Sequence, residues 1–194
     1  MSPEVPPAMI LGGAECLWDD VAELERMVGG VWPGVVIAVN NAGVDWDRPL
    51  DHWVSMHPEK FHRECKPGKG GEWIRRRRER GHPDGYVTWA RREVPTLADR
   101  QVEVWAGGSS GLLAVAVADI LNCPLAVLCG VPMDRRPHYH DVWDGKPWVH
   151  ADAHWPAWTS NEDRLQGWVR SMSGRTREFL GYPDREWLTM REEG

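Results

Sequence analysis

Cysteine is sparse and without pattern. The four, at 16, 65, 123 and 129, include no Cys-x-x-Cys pair, which argues against a disulfide framework and a zinc knuckle. Cys123 and Cys129 flank the apolar run 124–128 and read as small core residues. Phenylalanine and tyrosine are scarce at two and three, while tryptophan reaches thirteen. An indole buries a large area but carries an N–H that needs a partner. The tryptophans therefore read either as half-buried rings at a cleft or under loops, or as drift in a composition also rich in Arg, Gly, Ala and Pro. Positive charge is not in excess: the formal net charge is −6, against the basic balance of a nucleic-acid binder. No apolar run reaches membrane-spanning length, and Met1–Pro7 lack the basic start and apolar core of a signal peptide. The expectation is a soluble cytoplasmic protein with no membrane partner, and with a homo-oligomer left open.

What is present reads as an α/β chain, and 194 residues suit one domain. Ala8–Leu11 is a short buried strand that runs into Gly12-Gly13. Leu17, Val21, Leu24 and Val28 follow at helical spacing, with Asp19 and Asp20 in the favourable first turn. Gly29-Gly30 closes that helix. Strand, glycine turn and helix in this order open a Rossmann-like wrap. Val35–Val39 is a second strand ending at Asn40-Asn41, and Asp51–Met56 a third ending at His57-Pro58. An irregular excursion over Glu59–Gly71 precedes a short helix at Glu72–Arg80. Tyr86–Trp89 and Val102–Trp105 are weaker strands. Gly107–Gly111 then leads into a small-residue helix, Leu112–Leu121, whose lack of charge predicts burial on most sides. Leu125–Cys129 has the continuous apolar character of a central parallel strand. Residues 135–159 carry little periodicity and read as a lid-like binding segment. A last helix is expected after a Ser160 cap with Asp163, its stripe formed by Leu165, Trp168, Val169 and Met172. The fold class is thus a Rossmann-like three-layer sandwich around a mostly parallel sheet.

In such sheets ligands lie beyond the carboxyl ends of the strands. Small and polar residues arrive there repeatedly: Gly12 and Gly13, Asn40 and Asn41, His57, the Gly-Ser segment, and Gly130–Asp134. At Gly107–Gly111 the glycines admit a close ligand, and the helix start offers free N–H groups to a phosphate. A tight turn with a capping serine reads equally well. Neither G-x-G-x-x-G nor a P-loop lysine is present, so a dinucleotide or P-loop site is not supported. Asp134, His138, His140, Asp141, His150, Asp152 and His154 crowd one segment. They suit a divalent metal site, a catalytic imidazole or a solvated loop, and the spacing favours one imidazole over a metal cage. Arg75–Arg78 with Arg80 point all round a helix and read as a solvated face, with a phosphate-bearing acceptor as the second reading.

Set in order, Gly12-Gly13, Val36–Asn41, Asp51–Pro58, Gly108–Gly111 and Gly130–Asp134 resemble a superfamily of Rossmann-like proteins. It groups the MptE-like 6-hydroxymethylpterin pyrophosphokinases with the family 42 sialyltransferases and includes phage proteins. The resemblance spans roughly residues 8–160 as ordered short motifs. It implies a nucleotide or nucleotide-sugar partner held by Gly12, Asn40, Ser109, Ser110 and Gly111, with Tyr139 near the phosphate. His154 or His150 would be the catalytic base, and Asp134 would contact Mg2+. With Gly13, Asn41 and His57 added from the strand ends, the expected activity is nucleotide-dependent glycosyl or pyrophosphoryl transfer. The alternatives are a non-catalytic nucleotide-sequestering protein and a metal-dependent hydrolase built on the cluster at 134–154.

Overall fold

The computed structural model describes residues 5–61, 71–91, 98–102, 109–140 and 146–189. Gly107, Gly108, Cys65 and Asp141 lie outside them. Seven parallel strands form one sheet: β1 (Ala8–Leu11), β2 (Val35–Val39), β3 (His52–Val54), β4 (Val87–Arg91), β5 (Arg100–Val102), β6 (Ala126–Cys129) and β7 (Val169–Ser171). Their order is β5-β4-β3-β2-β1-β6-β7. The chain therefore moves outward from β1 as far as β5, then returns to β1's other side as β6. In register, Leu11 lies between Ala38 of β2 and Cys129 of β6. That reversal creates a crevice at the carboxyl ends of β1 and β6.

The two sheet faces bury different sets of side chains, as the period of two along a strand requires. Met9, Leu11, Val36, Ala38, Trp53, Val127 and Cys129 belong to one core cluster. Ala8, Ile10, Ile37, Val39, Val54, Ala126 and Leu128 belong to the other. Helix α1 (Leu17–Val28), the short α2 (Ala42–Asp45) and α3 (Glu72–Glu79) cover the first face. Helix α4 (Ser110–Ile120), in which Gly111 to Ala118 are all buried, covers the second. Its all-round burial explains its lack of charge. Gly29 ends α1 in the left-handed region at φ 80°, the usual reason for glycine there.

The expectation for the carboxyl-terminal third is corrected. Residues 151–159 of the expected lid form helix α5 (Ala151–Thr159), with Pro156 inside it. The expected long helix after Ser160 is only α6 (Glu162–Leu165). Gly167 then turns the chain at φ 86°, and Val169–Ser171 becomes the edge strand β7. Leu165 and Val169 pack in one cluster while Met172 packs in the other, across the sheet. The supposed helical stripe was residues of two faces. α7 (Gly174–Leu180) and α8 (Arg185–Thr189) follow. No helix among the described residues is long and apolar enough to cross a membrane.

The arginine run is also partly structural. Arg77 is fully buried, and its guanidinium donates to the carbonyls of Gly43, Trp46, Arg48 and Pro83. It thereby ties α2 and the loop after it to α3. Arg75, Arg76 and Arg78 pair on the surface with Glu79, Glu72 and Asp84, and Arg80 with Asp45.

Candidate functional site

A cavity of about 620 Å³ opens at the sheet edge where β1 and β6 part. Its floor is made by the turns after four strands. Gly12 and Gly13 follow β1, Asn40 and Asn41 follow β2, Met56 and His57 follow β3, and Gly130–Asp134 follow β6. The start of α4 (Ser109, Ser110, Gly111) and the rings of His138, His140, Trp148, His150 and His154 also line it.

The floor is held rigidly from behind. The Gly12 amide donates to Cys129 O at 2.7 Å, and a Cβ at Gly12 would stand 2.1 Å from Gly130 O. Glycine is thus required at position 12 by the approach of two turns rather than by a ligand. Gly130 takes φ 67°, and its amide donates to the carboxylate of Asp20 at 2.8 Å. Ser173 donates to the same oxygen, and the Cys16 thiol lies 3.2 Å from the Ser173 hydroxyl. Burial raises the Asp20 carboxyl above its ordinary range despite those donors. Burial also pushes the Cys16 and Cys123 thiols up to about 11, and Cys129 well above its usual value. None of the three is a thiolate near neutrality, which sets them apart from reactive cysteines. On the far side, Thr176 of α7 donates its hydroxyl to Val131 O and its amide to Pro132 O. Between these anchors the buried Met133 has φ 50°, a strained conformation for a side chain of that kind and common at functional sites.

Asn40 also takes a left-handed conformation, φ 51°. Its backbone carbonyl accepts from Trp53 Nε1 at 2.7 Å. Ser55 is buried, and its hydroxyl oxygen accepts from the His57 amide, so its one proton goes to Asn40 Oδ1 at 2.7 Å. That bond orients the amide and leaves Nδ2 as the donor available to a ligand. Asn41 Nδ2 approaches His140 Nε2 at 3.3 Å.

Ser109 caps α4, its hydroxyl accepting from Leu112 N, and Ser110 Oγ accepts from Met56 N at 3.2 Å. The capping reading of Ser109 therefore holds, but it leaves the Ser110 and Gly111 amides without an intrahelical acceptor. Those amides, at the positive end of an 11-residue helix, border the cavity.

Rings that line the cavity form a contiguous row, stacked in part. His140 stacks on His138 with centroids 5.3 Å apart, His138 meets Trp148 at 5.8 Å, and Trp148 stacks on His154 at 5.8 Å. His150 lies beside His154 at 6.5 Å. Burial and the neighbouring His150 lower the pKa of His154, which favours its neutral form.

Of the residues selected from sequence, Gly12, Gly13, Asn40, Asn41, His57, Ser109, Ser110, Gly111, Asp134, His150 and His154 all border this cavity. Tyr139 does not. Its hydroxyl donates to Asp45, its ring sits edge-on to Trp18, and burial with Asp45 raises its pKa. Asp152 faces outward, paired with Arg135 and Arg175. Arg136, which sequence reasoning passed over, borders the cavity and holds Asp134: its amide and its Nε reach the two carboxylate oxygens at 3.0 and 3.1 Å. Asp134 is the one cavity carboxylate among the described residues, and no three described His, Cys, Asp or Glu side chains converge as metal ligands. Mg2+ is commonly held by one or two carboxylates together with substrate phosphates. The Mg2+ that the resemblance implies would thus have Asp134 as its carboxylate among the described cavity residues, in competition with Arg136.

No family model, curated protein or solved structure shows significant similarity to this chain.

Proposed function

We propose that the protein is a nucleotide-dependent transferase acting in the cavity between β1 and β6. The observation that carries this reading is the presence of two features in one cavity. The start of α4, whose Ser110 and Gly111 amides have no acceptor among the described residues, and a group of imidazoles border the same cavity. The first suits phosphate, and the second suits removal of a proton from an incoming hydroxyl near neutral pH. The nucleotide would lie over the strand ends with its phosphates at Ser110 and Gly111 and Arg136 nearby. Asn40 Nδ2 would donate to its base or ribose. The acceptor hydroxyl would approach from the side of His138, His150 and His154.

A thermal-shift panel of CMP, UDP, GDP, ATP and a pterin, each with and without Mg2+, tests this, followed by product analysis for every binder. At least one phosphorylated nucleotide should raise the melting temperature and be consumed with an acceptor alcohol. Binding without product on long incubation overturns the transferase and leaves a nucleotide-binding module. No shift with any nucleotide overturns both.

A further inference from the structure

We infer that His138 is the general base of this cavity, its Nε2 being the atom that accepts the proton of the acceptor hydroxyl. The inference rests on the transferase reading above, and it singles out one of the four imidazoles of that row of rings.

The ring is fixed in both orientation and tautomer. Residues 137–139 pair with the turn after β1. Glu15 N donates to Pro137 O at 3.0 Å, Tyr139 N donates to Gly13 O at 3.0 Å, and Ala14 and His138 form an antiparallel bridge. His138 Nδ1 then lies 3.1 Å from the same Gly13 oxygen. A carbonyl oxygen only accepts, and its two lone pairs serve both donors. Nδ1 therefore carries the proton, and in the neutral ring Nε2 keeps its lone pair. His140 and Trp148 flank the ring at 5.3 and 5.8 Å, and the residue borders the cavity. Gly13 makes the arrangement possible, because a Cβ there would stand 3.0 Å from His138 Nδ1. The ring of His154, by contrast, is placed by stacking on Trp148 and by its neighbour His150.

In the step assigned to it, Nε2 takes the acceptor O–H proton as that oxygen bonds to the transferred group. The bond between that group and the nucleotide's phosphate oxygen breaks, and its electron pair stays on the phosphate. The imidazolium, now protonated on both nitrogens, keeps its bond to Gly13 and releases the Nε2 proton to solvent or to the departing phosphate.

Two measurements on the full chain decide the matter. Long-range 1H–15N correlation of 15N-histidine-labelled protein, with His138→Asn for assignment, should show the Nδ1–H tautomer for His138; the Nε2–H tautomer overturns the inference. The second uses the nucleotide that gives the largest thermal shift. His138→Asn keeps an N–H for Gly13 O but has no Nε2. It should lower kcat by about 100-fold or more, the scale of general-base catalysis, with nucleotide affinity held within about threefold. Wild-type kcat in His138→Asn, or an equal or larger loss in His154→Asn, overturns it. If the wild type binds no nucleotide, the transferase reading fails instead, and the ligand-free tautomer measurement still decides whether His138 presents a bare Nε2.

Discussion

The carboxylate of Asp20, in the first turn of α1, accepts the amide of Gly130 at 2.8 Å from the other side of the cavity floor. One buried acid thus holds the turn after β6 in its left-handed conformation, and Ser173 joins the same oxygen. Asp20→Ala should cost about 1–3 kcal/mol, the penalty for buried donors left unmet. The pH dependence has a definite sign. Burial raises the Asp20 pKa in the folded protein, so the folded state binds the proton more tightly than the unfolded chain. Its contribution is fully present below the unfolded value of 3.8 and falls as pH rises through the folded value. Denaturant unfolding of wild type and Asp20→Asn, compared from pH 4 to 7, should show the difference moving in favour of Asn as pH rises. A difference independent of pH contradicts this.

The two glycines after β1 should respond differently to a methyl group. Gly12→Ala drives a Cβ to 2.1 Å from the Gly130 carbonyl, where only backbone could yield. It should destabilise the fold by more than about 2 kcal/mol, measured by urea unfolding. Gly13→Ala meets the movable His138 ring at 3.0 Å. It should leave stability within about 1 kcal/mol while lowering turnover. Equal stability loss in both would show that Gly13 is also a packing glycine.

In the run Arg75–Arg78, one member should matter far more than the rest. Arg77→Ala leaves the carbonyls of Gly43, Trp46, Arg48 and Pro83 without their donor. It should lower stability by about 3 kcal/mol or more. Arg75→Ala and Arg78→Ala, exposed ion pairs, should stay within about 0.5 kcal/mol. Thermal or urea unfolding of the three variants separates them. A loss of nucleotide affinity in Arg75→Ala or Arg78→Ala would revive the phosphate-binding reading of the run.

Strands β1, β2 and β6 were legible in sequence because they are continuous apolar runs ended by glycine or asparagine, and β3 because it runs to His-Pro. Strand β5, by contrast, lies at Arg100–Val102 rather than Val102–Trp105, of which 103–105 fall outside the described residues. The strand-end rule points to Gly12, Asn40, His57, Ser110 and Asp134, and all five border one cavity. What the sequence concealed has physical causes. Val169–Ser171 mimics a helical stripe because Leu165, Val169 and Met172 fall at spacings near 3.6, although they serve opposite sheet faces. Helix α5 was masked by Pro156 in its interior. Arg77 looked like its neighbours because burial of one arginine in four depends on distant carbonyls. Tyr139 follows a histidine in an extended segment, so it points away from the cavity that His138 borders. The bond from His138 to Gly13 spans 125 residues and leaves no local pattern.

The most direct test is an amide 1H–15N titration of the wild type with the nucleotide that gives the largest thermal shift. The Ser110 and Gly111 amides should move most, as expected of N–H groups that acquire a phosphate acceptor, with Asn40 and Arg136 responding alongside. A nucleotide that binds while leaving Ser110 and Gly111 unmoved would contradict the placement of its phosphates at α4.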